Sequence, residues 1–179
     1  MKKIVVFGAS SSKASINKQL SAWAGSQIAG VEVEQLDLNA FEMPIYSSDR
    51  EKEGGIPELA HKFKDLLNGA DGIVISFAEH NGSYTAAFEN IFDWISRTDG
   101  PTWSDKPMFL MATSPGGRGG QTVLATAAAS FPHQGAQVAG TFSLPGFYEN
   151  FDTAKGIVNA EMDKGFREQL ELFSKALIG

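Results

Sequence analysis

Five short apolar runs punctuate the chain: Lys3 to Gly8, Val31 to Leu38, Gly72 to Phe77, Pro107 to Thr113 and Ala136 to Leu144. Most are β-branched or aromatic and nearly unbroken in hydrophobicity, the pattern of parallel strands covered on both faces. The second run alternates instead and suits an edge strand. Between the runs, apolar residues recur every three or four positions, as on the buried stripe of a helix. Ile16, Leu20, Trp23 and Ala24 mark the first helix, and Leu59, Phe63, Leu66 and Leu67 the second. Tyr84, Phe88, Ile91, Phe92 and Ile95 mark the third. Val123, Leu124, Ala127 and Phe131 mark the fourth, and Met162, Phe166, Leu170, Phe173 and Leu177 the fifth. Strand and helix alternate five times without a break in composition. The expected fold is therefore α/β, a doubly wound five-stranded parallel sheet in a three-layer sandwich, with residues 1–179 forming a single domain. Asn39 to Gly55 is the longest stretch without periodicity, and reads as a solvated surface loop.

Composition removes several classes of function. The 179 residues include no cysteine, which excludes disulfides, thiolate metal sites and a cysteine nucleophile. The formal net charge of -6 argues against a nucleic-acid partner, because phosphate neutralisation needs clustered Lys and Arg. The opening MKKIVVFGASSS reads as a first strand rather than a signal peptide, and no run approaches the length of a membrane span. A cytoplasmic location is the expectation. The three histidines, His61, His80 and His133, have no partner at ligand spacing, so no metal site is expected. No Gly-x-Ser-x-Gly elbow supports a serine hydrolase.

In open α/β sheets, ligands bind beyond the carboxyl ends of the strands. Three unusual segments fall there. Gly8 to Asn17 is rich in hydroxyl and amide side chains at a helix start, where unpaired N–H groups and the helix dipole favour an anion. It reads either as a phosphate nest or as a polar turn with Ser15 as a plain N-cap. Ala78 to Tyr84 contains Asn81-Gly82, which permits positive φ and exposes amides. It reads either as an edge for a flat heteroaromatic ring or as a capped turn. Thr113 to Gly120 carries four glycines and Arg118, and reads as a site of close backbone approach or as a flexible connection. Trp94 and Trp103 lie near the same rim; helix packing for one and a surface anchor for the other are the simpler readings.

At these loops the chain resembles the NADPH-dependent FMN reductase family, whose members include quinone-reductase-like, azoreductase-like and chromate-reducing proteins. Ala9 to Asn17 occupies the register of the family's Gly-Ser-x-Arg-x-x-Ser-x-Asn motif. Ala78-Glu79-His80-Asn81-Gly82-Ser83, followed by Glu89-Asn90-Ile91-Phe92-Asp93-Trp94, matches its second motif and helix. Ser114 to Gly120 matches its glycine-rich third loop. The resemblance implies a flavodoxin-like fold with FMN as cofactor and NADPH or NADH as electron donor. It implies that Ser10, Ser12, Ser15, Ile16 and Asn17 hold the FMN phosphate. Glu79, His80, Asn81 and Gly82 would lie along the isoalloxazine, and Ser114 and Gly116 would approach its pyrimidine edge. Ser12 stands where the family has arginine, with Lys13 and Arg118 as candidate substitutes. Thr85 replaces the proline that enters the third helix.

The implied activity is transfer of electrons from NAD(P)H through FMN to a small-molecule acceptor: a quinone, azo compound, metal oxyanion or free flavin. No side chain is expected to act as an essential general acid or base. A homodimer or homotetramer is the implied assembly. The alternative is a flavodoxin-like electron carrier that binds flavin without turning over a substrate.

Overall fold

The computed structural model describes all of residues 1–179. Strands β1 (Lys2–Ala9), β2 (Val31–Gln35), β3 (Gly72–Phe77), β4 (Lys106–Thr113) and β5 (Ala136–Leu144) form one sheet in the order β2-β1-β3-β4-β5. Every neighbouring pair is parallel. The chain runs outward from β1 to the edge strand β2, then crosses back to β3, so strand order reverses between β1 and β3. Seven helices accompany the sheet: α1 (Ile16–Ser26), α2 (Ser48–Gly54), α3 (Glu58–Asn68), α4 (Ala86–Ile95), α5 (Gln121–Ser130), α6 (Phe147–Asn150) and α7 (Ala160–Ile178). A short antiparallel hairpin, β6 (Phe151–Asp152) with β7 (Gly156–Ile157), precedes α7.

Alternation along β1 shows why both faces of the sheet are covered. Ile4 and Val6 pack with Leu20 of α1 and Phe166 and Phe173 of α7. Val5 and Phe7 point the other way, into a core with Phe63 of α3, Phe88 of α4 and Phe131. That second core is largely aromatic: Trp103 and Phe131 stack at 4.3 Å, and Phe77 meets Phe88 edge to face at 5.4 Å. Trp94 and Trp103 are both fully buried here, so Trp103 is core rather than the surface anchor read from sequence.

The expected strands and main helices form, with differences that have local causes. β2 stops at Gln35 because Asp37 caps a 3-10 turn, Leu38–Phe41, by accepting the Asn39 N–H at 3.0 Å. Asp37 also pairs with Lys18 of α1, and that ammonium, with the Asn39 amide, lowers its carboxyl pKa to about 2. The third helix starts at Ala86, not Tyr84: Thr85 is its cap and accepts the Phe88 N–H at 3.3 Å.

The stretch 39–55 is not the solvated loop its charges suggest. Phe41 and Met43 are buried, Ser47 caps α2, and Asp49 to Glu53 lie within that helix. Its extended part is fastened to α4. Trp94 Nε1 donates to Pro44 O at 2.7 Å, and Asn90 Oδ1 accepts the Tyr46 N–H at 2.8 Å. An extended segment has no partner of its own for these backbone groups, so α4 side chains supply them.

The carboxyl edge of the sheet is pinned by buried polar side chains. Asn17, only 2% exposed, donates from Nδ2 to Thr113 O at 3.1 Å. Its Oδ1 accepts from Ser76 Oγ at 2.7 Å and from the Thr113 N–H at 3.0 Å. Thr113 Oγ1 donates to Leu144 O at 2.7 Å, and Thr85 Oγ1 to Ala9 O at 2.9 Å. Helix α1 and the ends of β1, β3, β4 and β5 are thereby fixed in register. Gly119 and Gly120 close the same edge at φ 59° and 68°. A Cβ at Gly120 would lie 2.8 Å from Ala112 Cβ, whereas Gly117 has open space around it.

Asn17→Ala would leave two backbone groups of Thr113 and the Ser76 hydroxyl without their buried partner. The expected loss is about 3 kcal/mol of stability, read by urea denaturation of flavin-free protein. Gly120→Ala should cost about 1–3 kcal/mol through its left-handed backbone and the Ala112 clash, while Gly117→Ala should stay within about 0.5 kcal/mol by the same measurement. Equal effects at the two glycines would overturn this assignment.

Candidate functional site

The three loops singled out by the sequence leave β1, β3 and β4 at the reversal of strand order, where the fold places ligands. The first loop ends at Ser15, the N-cap of α1, whose Oγ accepts the Lys18 N–H at 3.2 Å. Capping uses a lone pair of that oxygen and leaves its proton free to donate outward. Ser10 is in the same condition, since its Oγ accepts the Ser12 N–H at 3.1 Å. The backbone N–H groups of Ile16 and Asn17, in the first turn of α1, have no acceptor in the protein. The side chain of Asn17 points inward to Thr113 and Ser76, so its backbone amide is what it can offer a ligand.

The second loop is a tight hairpin turn. His80 and Ser83 exchange backbone hydrogen bonds of 3.0 Å in both directions, with Asn81 at φ 53° and Gly82 at φ 75° between them. Two successive positive φ values are the type I′ pattern that Asn-Gly favours. The turn holds Asn81 and Gly82 out as an exposed tip. Glu79 faces the other way: its Oε2 accepts the Val123 N–H at 2.8 Å, a carboxylate placed at the positive end of α5. Its charge is thus engaged within the protein.

The third loop is held from β5. Gly146 donates its N–H to Gly116 O at 2.9 Å, and Phe147 to Ser114 O at 3.0 Å. Ser114 Oγ donates to Gly116 O at 3.1 Å, so the expected ring-edge residues belong to one bonded turn.

These loops enclose a cleft of about 250 Å³. Ser10, Ser12, Ser15, Ile16 and Asn17 form one wall. Glu79 and His80 enter from the second loop and Ser114 from the third. Asn81, Gly82 and Gly116 lie on the same rim but outside the cleft proper. Tyr148 on α6 completes the lining. No motif marks Tyr148 in the sequence; the signal for it is Pro145-Gly146-Phe147-Tyr148 leaving the fifth strand at the same edge of the sheet. A larger cavity of about 390 Å³ lies between residues 38–45 and α4. It is walled mainly by Leu38, Phe41, Met43 and Ile91, and shares only the first loop, through Ser11.

No Lys or Arg lines the 250 Å³ cleft. Neither candidate substitute for the family arginine reaches it: Lys13 is exposed to solvent, and Arg118 donates to Thr122 Oγ1 at 3.1 Å along α5. Lys18 is held by Asp37. The donors on offer are hydroxyls, unpaired backbone amides and the α1 dipole, a set that suits the oxygens of a phosphate monoester.

Residues 2–149 match the family model described as NADPH-dependent FMN reductase. The chain is 34% identical over 119 residues to a 2-hydroxy-1,4-benzoquinone reductase of Burkholderia, covering 65% of this chain and 63% of that protein. It is 33% identical over 92 residues to a quinone reductase of Escherichia coli, covering 51% of this chain and 48% of that one. The matched stretches thus span about half to two thirds of those relatives. Among solved structures, FerB, a flavoenzyme NAD(P)H:(acceptor) oxidoreductase from Paracoccus denitrificans, superposes with a TM-score of 0.78 at 24% identity, over 99% of this chain and 98% of that one. That likeness extends the flavodoxin-like fold over nearly the whole sequence. With its five-stranded sheet, its three rim loops and a family match over residues 2–149, this chain belongs to the NADPH-dependent FMN reductase family.

Proposed function

We propose that this protein binds FMN at the carboxyl edge of its sheet and passes electrons from NADPH or NADH to a small acceptor. The acceptor class is a quinone, azo compound, metal oxyanion or free flavin. The observation that carries the reading is the cleft at the strand reversal, where the free amides of Ile16 and Asn17 lie beside the hydroxyls of Ser10, Ser12 and Ser15. FMN held there would supply the hydride-accepting redox chemistry. The protein supplies position. The amides and hydroxyls hold the phosphate. Glu79, anchored on α5, sets the direction of the second loop. The amides of Asn81, Gly82 and Gly116 favour negative charge at the ring edge.

The carrier alternative is less well supported. The Asn81-Gly82 tip carries no aromatic side chain to cover the ring, so one face stays open to nicotinamide and then to acceptor. Sequential use of one face makes the kinetics ping-pong. The Phe88 to Trp103 segment packs chiefly into the core, so its aromatics do not argue for an interface. A homodimer or homotetramer in the cytoplasm is proposed from the family alone.

Flavin-free protein should bind FMN more tightly than FAD, since one phosphate nest and no adenosine site is on offer. Tighter FAD binding would refute the reading. Ser15→Ala should weaken FMN about tenfold or more and riboflavin hardly at all, from the loss of one hydrogen bond to a charged group. His80→Ala should keep most NADPH oxidation. A loss of several orders of magnitude with FMN still bound would make His80 catalytic. Light scattering at micromolar concentration should give a mass above that of one chain, and a monomer would remove the assembly proposal.

A further inference from the structure

A phosphate monoester carries about −1.5 to −2 charges at pH 7, and a cleft lined by no Lys or Arg must meet it chiefly with neutral donors. Tyr148 is the residue placed to supply one. It lines the same cleft as the hydroxyls and free amides of the first loop, yet it is 71% exposed. A tyrosine this open would ordinarily swing freely; here it is fastened at its base. Gly146, at φ 57°, and Phe147 donate their amides to Gly116 O and Ser114 O, which bolts α6 to the third loop. Asn150 Nδ2 donates to Pro145 O at 2.9 Å across the same turn. Phe147 is buried and meets the Tyr148 ring edge to face, at 5.5 Å and 85°. Tyr148 therefore lines the cleft from a fixed backbone.

We propose that Tyr148 is a binding residue for the FMN phosphate, standing in as a neutral hydrogen-bond donor for the cation that Ser12 does not provide. The proposal rests on the FMN reading and names a residue from a fourth loop of the site. It makes the nest a set of dipoles. Oriented hydroxyls, two backbone amides and the start of α1 meet the phosphate, with a phenol closing the open side. A phenol O–H can donate a hydrogen bond without carrying a charge. Because Tyr148 is largely exposed and Tyr148→Phe keeps the ring that meets Phe147, that replacement should leave folding intact.

The test is titration of flavin-free protein with FMN and with riboflavin, followed by quenching of flavin fluorescence. The proteins are wild type, Tyr148→Phe, Ser12→Arg, and the double variant. Wild type should bind FMN at least tenfold more tightly than riboflavin. Tyr148→Phe should weaken FMN about tenfold and riboflavin less than twofold, with an unchanged melting temperature. Ser12→Arg should tighten FMN, and in its presence Tyr148→Phe should cost less than threefold, because the two groups serve one phosphate. An unchanged FMN affinity in Tyr148→Phe would overturn the proposal while leaving the FMN reading intact. Equal losses for both flavins would do the same, assigning the ring to packing rather than to phosphate. A full tenfold cost in the Ser12→Arg background would overturn the substitution for a cation. A wild type that binds neither flavin would overturn this proposal and the FMN reading together.

Discussion

The buried carboxamide of Asn17 is the joint on which this rim depends. A polar group sealed from water must find partners or forfeit the hydration it lost. Asn17 finds them on two strands at once, Ser76 of β3 and Thr113 of β4. The helix that carries Asn17 is thereby held against the ends of both strands. Its first-turn amides then have nowhere to turn but the open cleft. The cleft-facing amides are thus positioned by hydrogen bonds made away from the cleft. Thr85 continues the scheme: where the family has a proline entering α4, this chain has a hydroxyl that ties that helix to Ala9.

From that joint follows a division of labour among residues that look alike in sequence. Asn17 faces the core with its side chain and the cleft with its backbone. Ser15 is at once a cap and a donor, because a hydroxyl can accept with a lone pair while its proton points elsewhere. Of the glycines in the third loop, Gly119 and Gly120 serve the protein's own packing, and Gly116 and Gly117 leave space. The cleft that results is rich in dipoles and free of fixed positive charge, which favours directional recognition of an anion over long-range attraction.

The stretch 39–55 shows where reading by composition stops. Asp49 to Glu53, with Arg50 and Lys52, has the charge mixture of a solvated loop. That mixture equally suits a short exposed helix, and only Ser47 at the cap separates the two. What holds the preceding segment is not in its own sequence: Asn90 and Trp94 reach across from α4 to its backbone. Such pairings join residues more than forty positions apart, beyond the range of any local pattern.

The sequence by itself determined the alternation of five apolar runs with five helical stripes, and with it the layered parallel sheet. Those patterns are local, repeating every two or three to four residues, and burial of one continuous core leaves them few arrangements. It also pointed to three of the loops at the carboxyl edge, where unpaired helix starts gather. On that ground Ser15 and Asn17 stood out as anion donors, and the motif resemblance named Ser10, Ser12, Ile16, Glu79 and His80. Only the tertiary structure decided which atoms of these residues are free. Glu79 is spent on α5 and the Asn17 side chain on β3 and β4, while Arg118 lies along α5, away from the cleft. Tyr148 enters only there as well. It stands far along the chain from the first loop, and what makes them neighbours is the order β1-β3-β4-β5, which no local pattern of residues fixes.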